Sequence, residues 1–297
     1  MYHNPIMLEQ CIEGLNIRPG GIYVDLTFGG GGHSRAILDR LDETGKLIAF
    51  DQDEDARRNA MDDPRFVLVD ANFRYMKNFL RLHQALPVDG ILADLGISSH
   101  HIDAPDRGFA TRFNGPLDMR MDRKQLLTAA EIVNTYSPEK LQQLFSTYGE
   151  VSNARQLAAA IENARTSPIE TVDDFKRIIS PLVPKKIENK YLAQVFQALR
   201  IEVNDELGAL KVMLRQVPDS LKEGGRLAVI SFHSLEDRLV KNFIRSGNFE
   251  GEAEKDFFGN LRTPLVSITR KPLVAGLQEL ESNPRSRSAK LRIAEKA

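Results

Sequence analysis

The chain has 297 residues, 42% of them hydrophobic and 27% charged, and a net charge of -1. That composition excludes a disordered or collagen-like chain and is ordinary for a folded protein large enough for one large domain or two modest ones. The overall charge names no partner, and a single cysteine, Cys11, excludes an intrachain disulfide and fits a reducing cytoplasm.

The first ten residues, MYHNPIMLEQ, lack a basic region followed by an apolar stretch, so no signal peptide is expected. No run approaches the ~18 apolar residues of a membrane span, so no membrane partner is expected either. GIYVDLTF (21–28) is a short β-branched and aromatic run that predicts a strand. Four consecutive glycines, Gly29 to Gly32, follow it, and SRAILDRL then predicts a helix with Ser34 placed to cap. KLIAFDQD is a second strand ending at Asp51, EDARRNAM a helix, and RFVLVDAN a third strand. A helix carrying Phe73, Met76, Phe79, Leu80 and Leu82 leads to a fourth strand from Val88 to Leu95. Strands alternating with helices through short joints imply parallel β-α units with helices on both faces of the sheet.

From about Pro105 to Tyr191 the strand signal nearly disappears. TAAEIVNTYSPEKLQQLFSTYG, SNARQLAAAIENAR and TVDDFKRIISPLV predict three helices, the first with a cap signal at Ser137-Pro138-Glu139. A long amphipathic helix, AQVFQALRIEVNDELGALKVMLRQV, and a buried strand, GRLAVISF (225–232), come next. LVSITRKPLV and AKLRIAEKA alternate like two closing strands. The expected fold is α/β, doubly wound, Rossmann-like and mostly parallel. Residues 1–104 and 192–297 form its two parts, and 105–191 form a helical insertion.

Ligands of such sheets sit outside the carboxyl ends of the strands, near the point where strand order reverses. Glycines in the loop after the first strand let the backbone approach a ligand, and the next helix offers N–H groups. Asp51, at the end of the second strand, stands where an acidic residue bonds a ribose diol. Glycine loop and carboxylate together predict a nucleoside-type cofactor; a purely structural glycine turn is the competing reading. Asp25 lies inside the first strand, which disfavours a dinucleotide and suits a cationic amino-acid ligand, as in S-adenosylmethionine enzymes. No Gly-Lys-[Ser/Thr] is present, which disfavours a triphosphate loop.

Asp94 closes the fourth strand in ADLGISSHH, followed by Ser98, Ser99, His100 and His101. A carboxylate or hydroxyl there suits the hydrogen of an exocyclic amine; a helix cap or loop tether is the structural alternative. Two adjacent histidines without further ligands make no metal site, so no metal is expected. SFHSLEDR contains Ser231, His233, Ser234 and Asp237, but without Gly-x-Ser-x-Gly it predicts a helix start rather than a hydrolase triad.

These stretches resemble the MraW/RsmH family of S-adenosylmethionine-dependent methyltransferases. The matching blocks are YVDLTFGGGGHS, FDQD, DGILADLGISS, RGFATRFNGPLDMRMD, FQALRIEVNDEL, GGRLAVISFHSLEDRLVKNF and NPRSRSAKLRIAE, in order between residues 23 and 295. The resemblance implies methylation of the exocyclic N4 of one cytosine in the decoding region of 16S ribosomal RNA, within the small subunit or its precursor. It also implies a homodimer. Gly31, Gly32 and His33 match the loop that holds the methionine part of the cofactor, Asp51 the ribose acceptor and Phe73 an aromatic on the adenine side. Asp94 matches the acidic residue after the fourth strand. His101 stands where many relatives carry glutamine, and Lys190-Tyr191-Leu192-Ala193-Gln194 replaces a His-Pro-Ala-Thr-Arg run. Lys185, Lys186 and Lys190 are the candidates to replace that arginine's charge.

The chemistry implied is an in-line displacement at a sulfonium methyl. The nucleophilic nitrogen needs positioning and a hydrogen-bond acceptor, for which Asp94 and Ser98 are the candidates. Arg107, Arg112, Arg120, Arg123 and Lys124 alternate with Phe109 and Phe113, a pattern that suits phosphates and unstacked bases. From Arg262 onward the chain carries eight Arg or Lys against three Glu, a local basic patch of net +5 consistent with RNA contact. Methylation of another nucleic acid and a non-catalytic ribosome-assembly factor remain alternatives.

Overall fold

The structure, a computed structural model, describes residues 5–252 and 263–297. The chain forms two compact units, one from residues 1–96 and 207–297 and the other from 97–206.

The first unit is built on seven strands: β1 (Ile22–Asp25), β2 (Lys46–Asp51), β3 (Phe66–Asp70), β4 (Val88–Asp94), β5 (Leu221–Ser231), β6 (Leu265–Ser267) and β7 (Lys290–Lys296). Their order in the sheet is β3-β2-β1-β4-β5-β7-β6. The first five are parallel to one another; β7 runs antiparallel between β5 and β6. Helices α1 (Leu8–Leu15), α2 (Gly32–Leu38) and α3 (Met76–Leu82) belong to its first part.

The central strands are apolar on both sides, as a parallel sheet covered on both faces requires. Val24, Ile48, Phe50, Ile91 and Val229 point to a core shared with Met76 and Leu80 of α3. Tyr23, Leu47, Leu92, Ala228 and Ile230 point to a second core with Cys11 and Leu15 of α1 and Ile37 and Leu38 of α2. The fold is therefore a doubly wound, Rossmann-like, mostly parallel sheet. Strand order reverses between β1 and β4, which fixes the ligand-facing edge at the ends of β1, β2 and β4.

The second unit is helical: α4 (Ser99–Asp103), α5 (Ala129–Thr135), α6 (Pro138–Gly149), α7 (Ala154–Ala164), α8 (Val172–Ile179) and α9 (Glu188–Asn204). Its own core joins Leu141 and Phe145, Leu157 and Ile161, Phe175, and Val195, Phe196 and Leu199. The chain then re-enters the first unit through α10 (Glu206–Ser220), and α11 (Ser234–Ser246) and α12 (Leu277–Ser282) complete it.

Several expectations shift. The first predicted helix of the insertion is two, because Ser137 caps a new helix at Lys140 N and Pro138 takes its first position. The long helix over 193–217 breaks at Asp205, which adopts a left-handed φ of 46°. The second unit consequently runs to 206 rather than 191, since the apolar face of α9 belongs to its core. It begins at 97 rather than 105. EDARRNAM forms only a 3-10 stretch, Glu54–Asn59. Gly31, not Ser34, occupies the cap of α2, and the Ser34 hydroxyl turns to Asp25. No helix among the described residues is long and apolar enough to cross a membrane.

Candidate cofactor site and substrate-facing residues

The glycine loop is anchored on both flanks. Leu26 N–H donates to the Leu92 carbonyl on β4 and Phe28 N–H to the Phe50 carbonyl on β2, each at 2.9 Å. Gly31 adopts a φ of 75°, a conformation that disfavours any side chain. A Cβ on Gly32 would lie 2.3 Å from Pro5 Cγ, whereas a Cβ on Gly30 would meet nothing within 4 Å.

Asp25 is buried and its carboxylate organises this loop. It accepts from the Ser34 hydroxyl at 2.6 Å and from Thr27 N–H at 3.1 Å. Thr27 Oγ1 in turn accepts the Asp94 N–H at 2.7 Å. That hydroxyl ties the ends of β1 and β4 together where the strand order reverses. Sequence reading missed Thr27; its only signal is the i, i+2 spacing from Asp25 in an extended run.

Asp51 accepts from Gly29 N–H at 2.8 Å and Asp53 N–H at 2.9 Å. Burial nevertheless pushes its carboxyl up to about 6, the two hydrogen bonds opposing the shift. Asn59 Nδ2 donates to the Gly29 carbonyl, a second tether on the loop. Phe73 opens a short 3-10 turn after β3 and is half-buried against the core of that face. Asn72 beside it donates to Gln52 Oε1 at 2.7 Å, joining the loops after β2 and β3.

His33 is buried, its Nε2 3.0 Å from the Ile6 carbonyl and its Nδ1 3.9 Å from Asp94 Oδ2. A carbonyl only accepts, so Nε2 carries the proton and Nδ1 is bare. Burial lowers the His33 pKa, opposed by the charge of Asp25. Burial also raises the Asp94 carboxyl well above the usual range, reinforced by Asp25 and Glu236. Asp94 Oδ1 is buried and has no hydrogen-bond partner among the described residues.

A model of the MraW methylase family matches residues 1–297. The chain belongs to the MraW methylase family. It is 59% identical to the ribosomal RNA small subunit methyltransferase H of Parabacteroides distasonis, over 99% of this chain and 97% of that one. The protein of that name from Bacteroides thetaiotaomicron is 58% identical over 99% and 97%, and that from Flavobacterium johnsoniae 55% over 99% and 98%. Membership makes S-adenosyl-L-methionine the cofactor, and the residues present fit it. The open face at Gly30 and the unpartnered, buried Asp94 Oδ1 suit a ligand that brings a backbone-hugging chain and positive charge.

Gly31, Gly32, His33, Asp51, Phe73 and Asp94 all lie in the first unit, on its ligand-facing edge. Ser98 and His101 lie in the second, where both have local tasks. Ser98 caps α4, accepting from His101 N–H, and His101 Nδ1 lies 3.2 Å from Ser98 N and 3.1 Å from its hydroxyl. The His101 ring also packs on Phe109, centroids 4.8 Å apart.

The basic and aromatic segment divides. Arg107 is buried and donates to the Arg120 and Met121 carbonyls, and Arg120 pairs with Asp118 and with the carbonyls of Arg123 and Gln125. Both hold the loop together; Arg107 and Phe109 are buried and Arg120 is half-buried. Arg112 and Arg123 are exposed, paired with Asp103 and Asp106. In the C-terminal patch Arg292 binds Asp237 at 2.7 Å, while Arg270, Lys271 and Arg287 are exposed. Arg262 lies outside the described residues. His233 caps α11 and pairs with Glu236 at 3.2 Å rather than with Asp237, so SFHSLEDR begins a helix as expected.

Proposed function

We propose that the chain transfers a methyl group from S-adenosyl-L-methionine to the exocyclic N4 of one cytosine in the decoding region of 16S ribosomal RNA. The observation that carries this reading is Asp94: a buried carboxylate oxygen without a partner, at the sheet's switch point, 3.9 Å from a histidine of the glycine loop. The names of the relatives support a ribosomal substrate, and the cytosine is what the resemblance of the sequence motifs implies.

When bound, the cofactor supplies an electrophilic methyl on a sulfonium whose departure leaves a neutral thioether. Gly31, Gly32 and His33 hold its methionine part, Asp51 its ribose and Phe73 its adenine side. Asp94 accepts a hydrogen bond from the cytosine amine, favouring a tetrahedral nitrogen, and takes the proton or hands it to water. In the protein alone, burial and the carboxylates of Asp25 and Glu236 disfavour the charged form of Asp94, whereas a cationic ligand beside it would favour the carboxylate that serves as acceptor. Ser98 is the second candidate acceptor, once its capping bond is exchanged.

The cytosine must leave its stack to be methylated. Residues 97–206 form the recognition element of this reading. There the exposed cations Arg112, Arg123, Lys185, Lys186 and Lys190 meet phosphates. A small-subunit substrate, mature or precursor, places the reaction in the cytoplasm.

Transfer of labelled methyl to small-subunit particles, followed by mass mapping, tests the target; label on any other atom refutes it. Asp94→Asn should lower turnover at saturating cofactor by about 10²-fold. Turnover near wild type would remove Asp94 from the chemistry.

A further inference from the structure

The segment before α1 does more than lead into a helix. Pro5 packs directly over Gly32, leaving no room for a Cβ there. The Ile6 carbonyl accepts the His33 Nε2 proton at 3.0 Å. Met7 is fully buried with a left-handed φ of 50°, and its N–H donates to Glu279 Oε1 at 2.7 Å. Glu279 sits on α12, 272 residues away along the chain. A buried methionine with positive φ is a strained arrangement that the surroundings must hold in place.

We propose that Pro5–Met7 is a strap that fastens the methionine end of the cofactor site, with Ile6 selecting the His33 tautomer and Glu279 as the latch. The inference rests on the reading of Gly31, Gly32 and His33 as the loop that holds the methionine part. With the Nε2 proton committed to Ile6, the bare Nδ1 and Asp94 Oδ2 stand 3.9 Å apart as two acceptors. An ammonium group is a donor suited to such a pair. A loosened strap frees the ring to carry its proton on Nδ1, and the pair then offers a donor where an acceptor is needed. Glu279 is thus a positioning residue, acting through Met7 and Ile6 on His33.

The test compares Glu279→Leu with Glu279→Gln, whose amide oxygen still accepts the Met7 N–H. Calorimetry with S-adenosylhomocysteine should show Glu279→Gln within about twofold of wild type and Glu279→Leu weaker by about tenfold, the loss of one hydrogen bond to a charged group. Nitrogen chemical shifts of His33 should report a single tautomer in the wild type and a mixture in Glu279→Leu. Wild-type affinity and a single tautomer in Glu279→Leu would overturn the strap. Should that variant fail to fold, exchange of the Met7 amide in the wild-type protein decides. Saturating S-adenosylhomocysteine should slow that exchange, and an unchanged rate overturns the proposal. His33→Ala separates the two readings: normal binding there removes the methionine loop itself, whereas weakened binding with a normal Glu279→Leu removes only the strap.

Discussion

Replacing Asp51 by Asn should stabilise the fold above pH 6 and weaken cofactor binding at the same time. Burial pushes the Asp51 carboxyl from 3.8 to about 6 in the folded chain. The native state therefore holds this proton more tightly than the unfolded state. Its contribution to stability is complete below pH 4 and is lost as the pH rises to 6, by about 1.4 kcal/mol per unit. At neutral pH the charged form costs about 3 kcal/mol relative to the protonated one. Asn never ionises. Its oxygen still accepts from Gly29 or Asp53, but its NH2 faces the other N–H, which costs about 1 kcal/mol. The net expectation is a gain of about 2 kcal/mol at pH 7.5 and a loss of about 1 kcal/mol at pH 4. Urea titrations read on amide signals of β1 and β2 follow the unit that contains Asp51. A difference between variant and wild type that stays flat from pH 4 to 7.5 would refute the reasoning. Affinity for S-adenosylhomocysteine should fall in the same variant, because a ribose diol loses a charged acceptor. Function and stability pull against each other at this residue, as is common at binding sites.

Thr27→Val removes the acceptor of the Asp94 N–H; it should destabilise the fold by about 1–3 kcal/mol and lower kcat more than it raises KM, with Thr27→Ser restoring both. Arg107→Met should destabilise residues 97–206 by about 3 kcal/mol in thermal melts, since two buried carbonyls lose a charged donor. Arg123→Ala should leave the melt unchanged and reduce the salt slope of RNA binding by about one; the reverse pattern would return Arg107 to the RNA surface. Cys11 is fully buried, and burial raises its thiol, so thiol reagents should label it only as fast as the fold opens. Rapid labelling of the native protein would contradict that placement.

Much of the site is legible in the chain because its signals are local. Strand and helix periods alternate over short joints, and parallel strands present ligands at their carboxyl ends. Asp51 and Asp94 were therefore placed by where their strands stop, and the glycine run by the turn after the first strand. Asp25 in the first strand pointed from a dinucleotide toward a sulfonium amino acid, and the MraW motifs added the expected methyl acceptor, which no spacing alone specifies.

What depends on distant neighbours was not legible. β7 slips between β5 and β6 because pairing, not chain order, sets a sheet. Asp205 takes a left-handed turn that nothing in its residue type demands, and it cuts one predicted helix into two. Arg107 and Arg123 look alike in sequence, yet one is desolvated against carbonyls and the other faces water. Thr27, Ser34 and Glu279 each act through a partner brought close only by folding. Residue order alone sets which chemical groups stand at which strand ends. Which of them are buried, which are already paired, and that Asp94 keeps a buried oxygen without a partner among the described residues follow from folding, because desolvation is set by what packs over a side chain and not by the side chain itself.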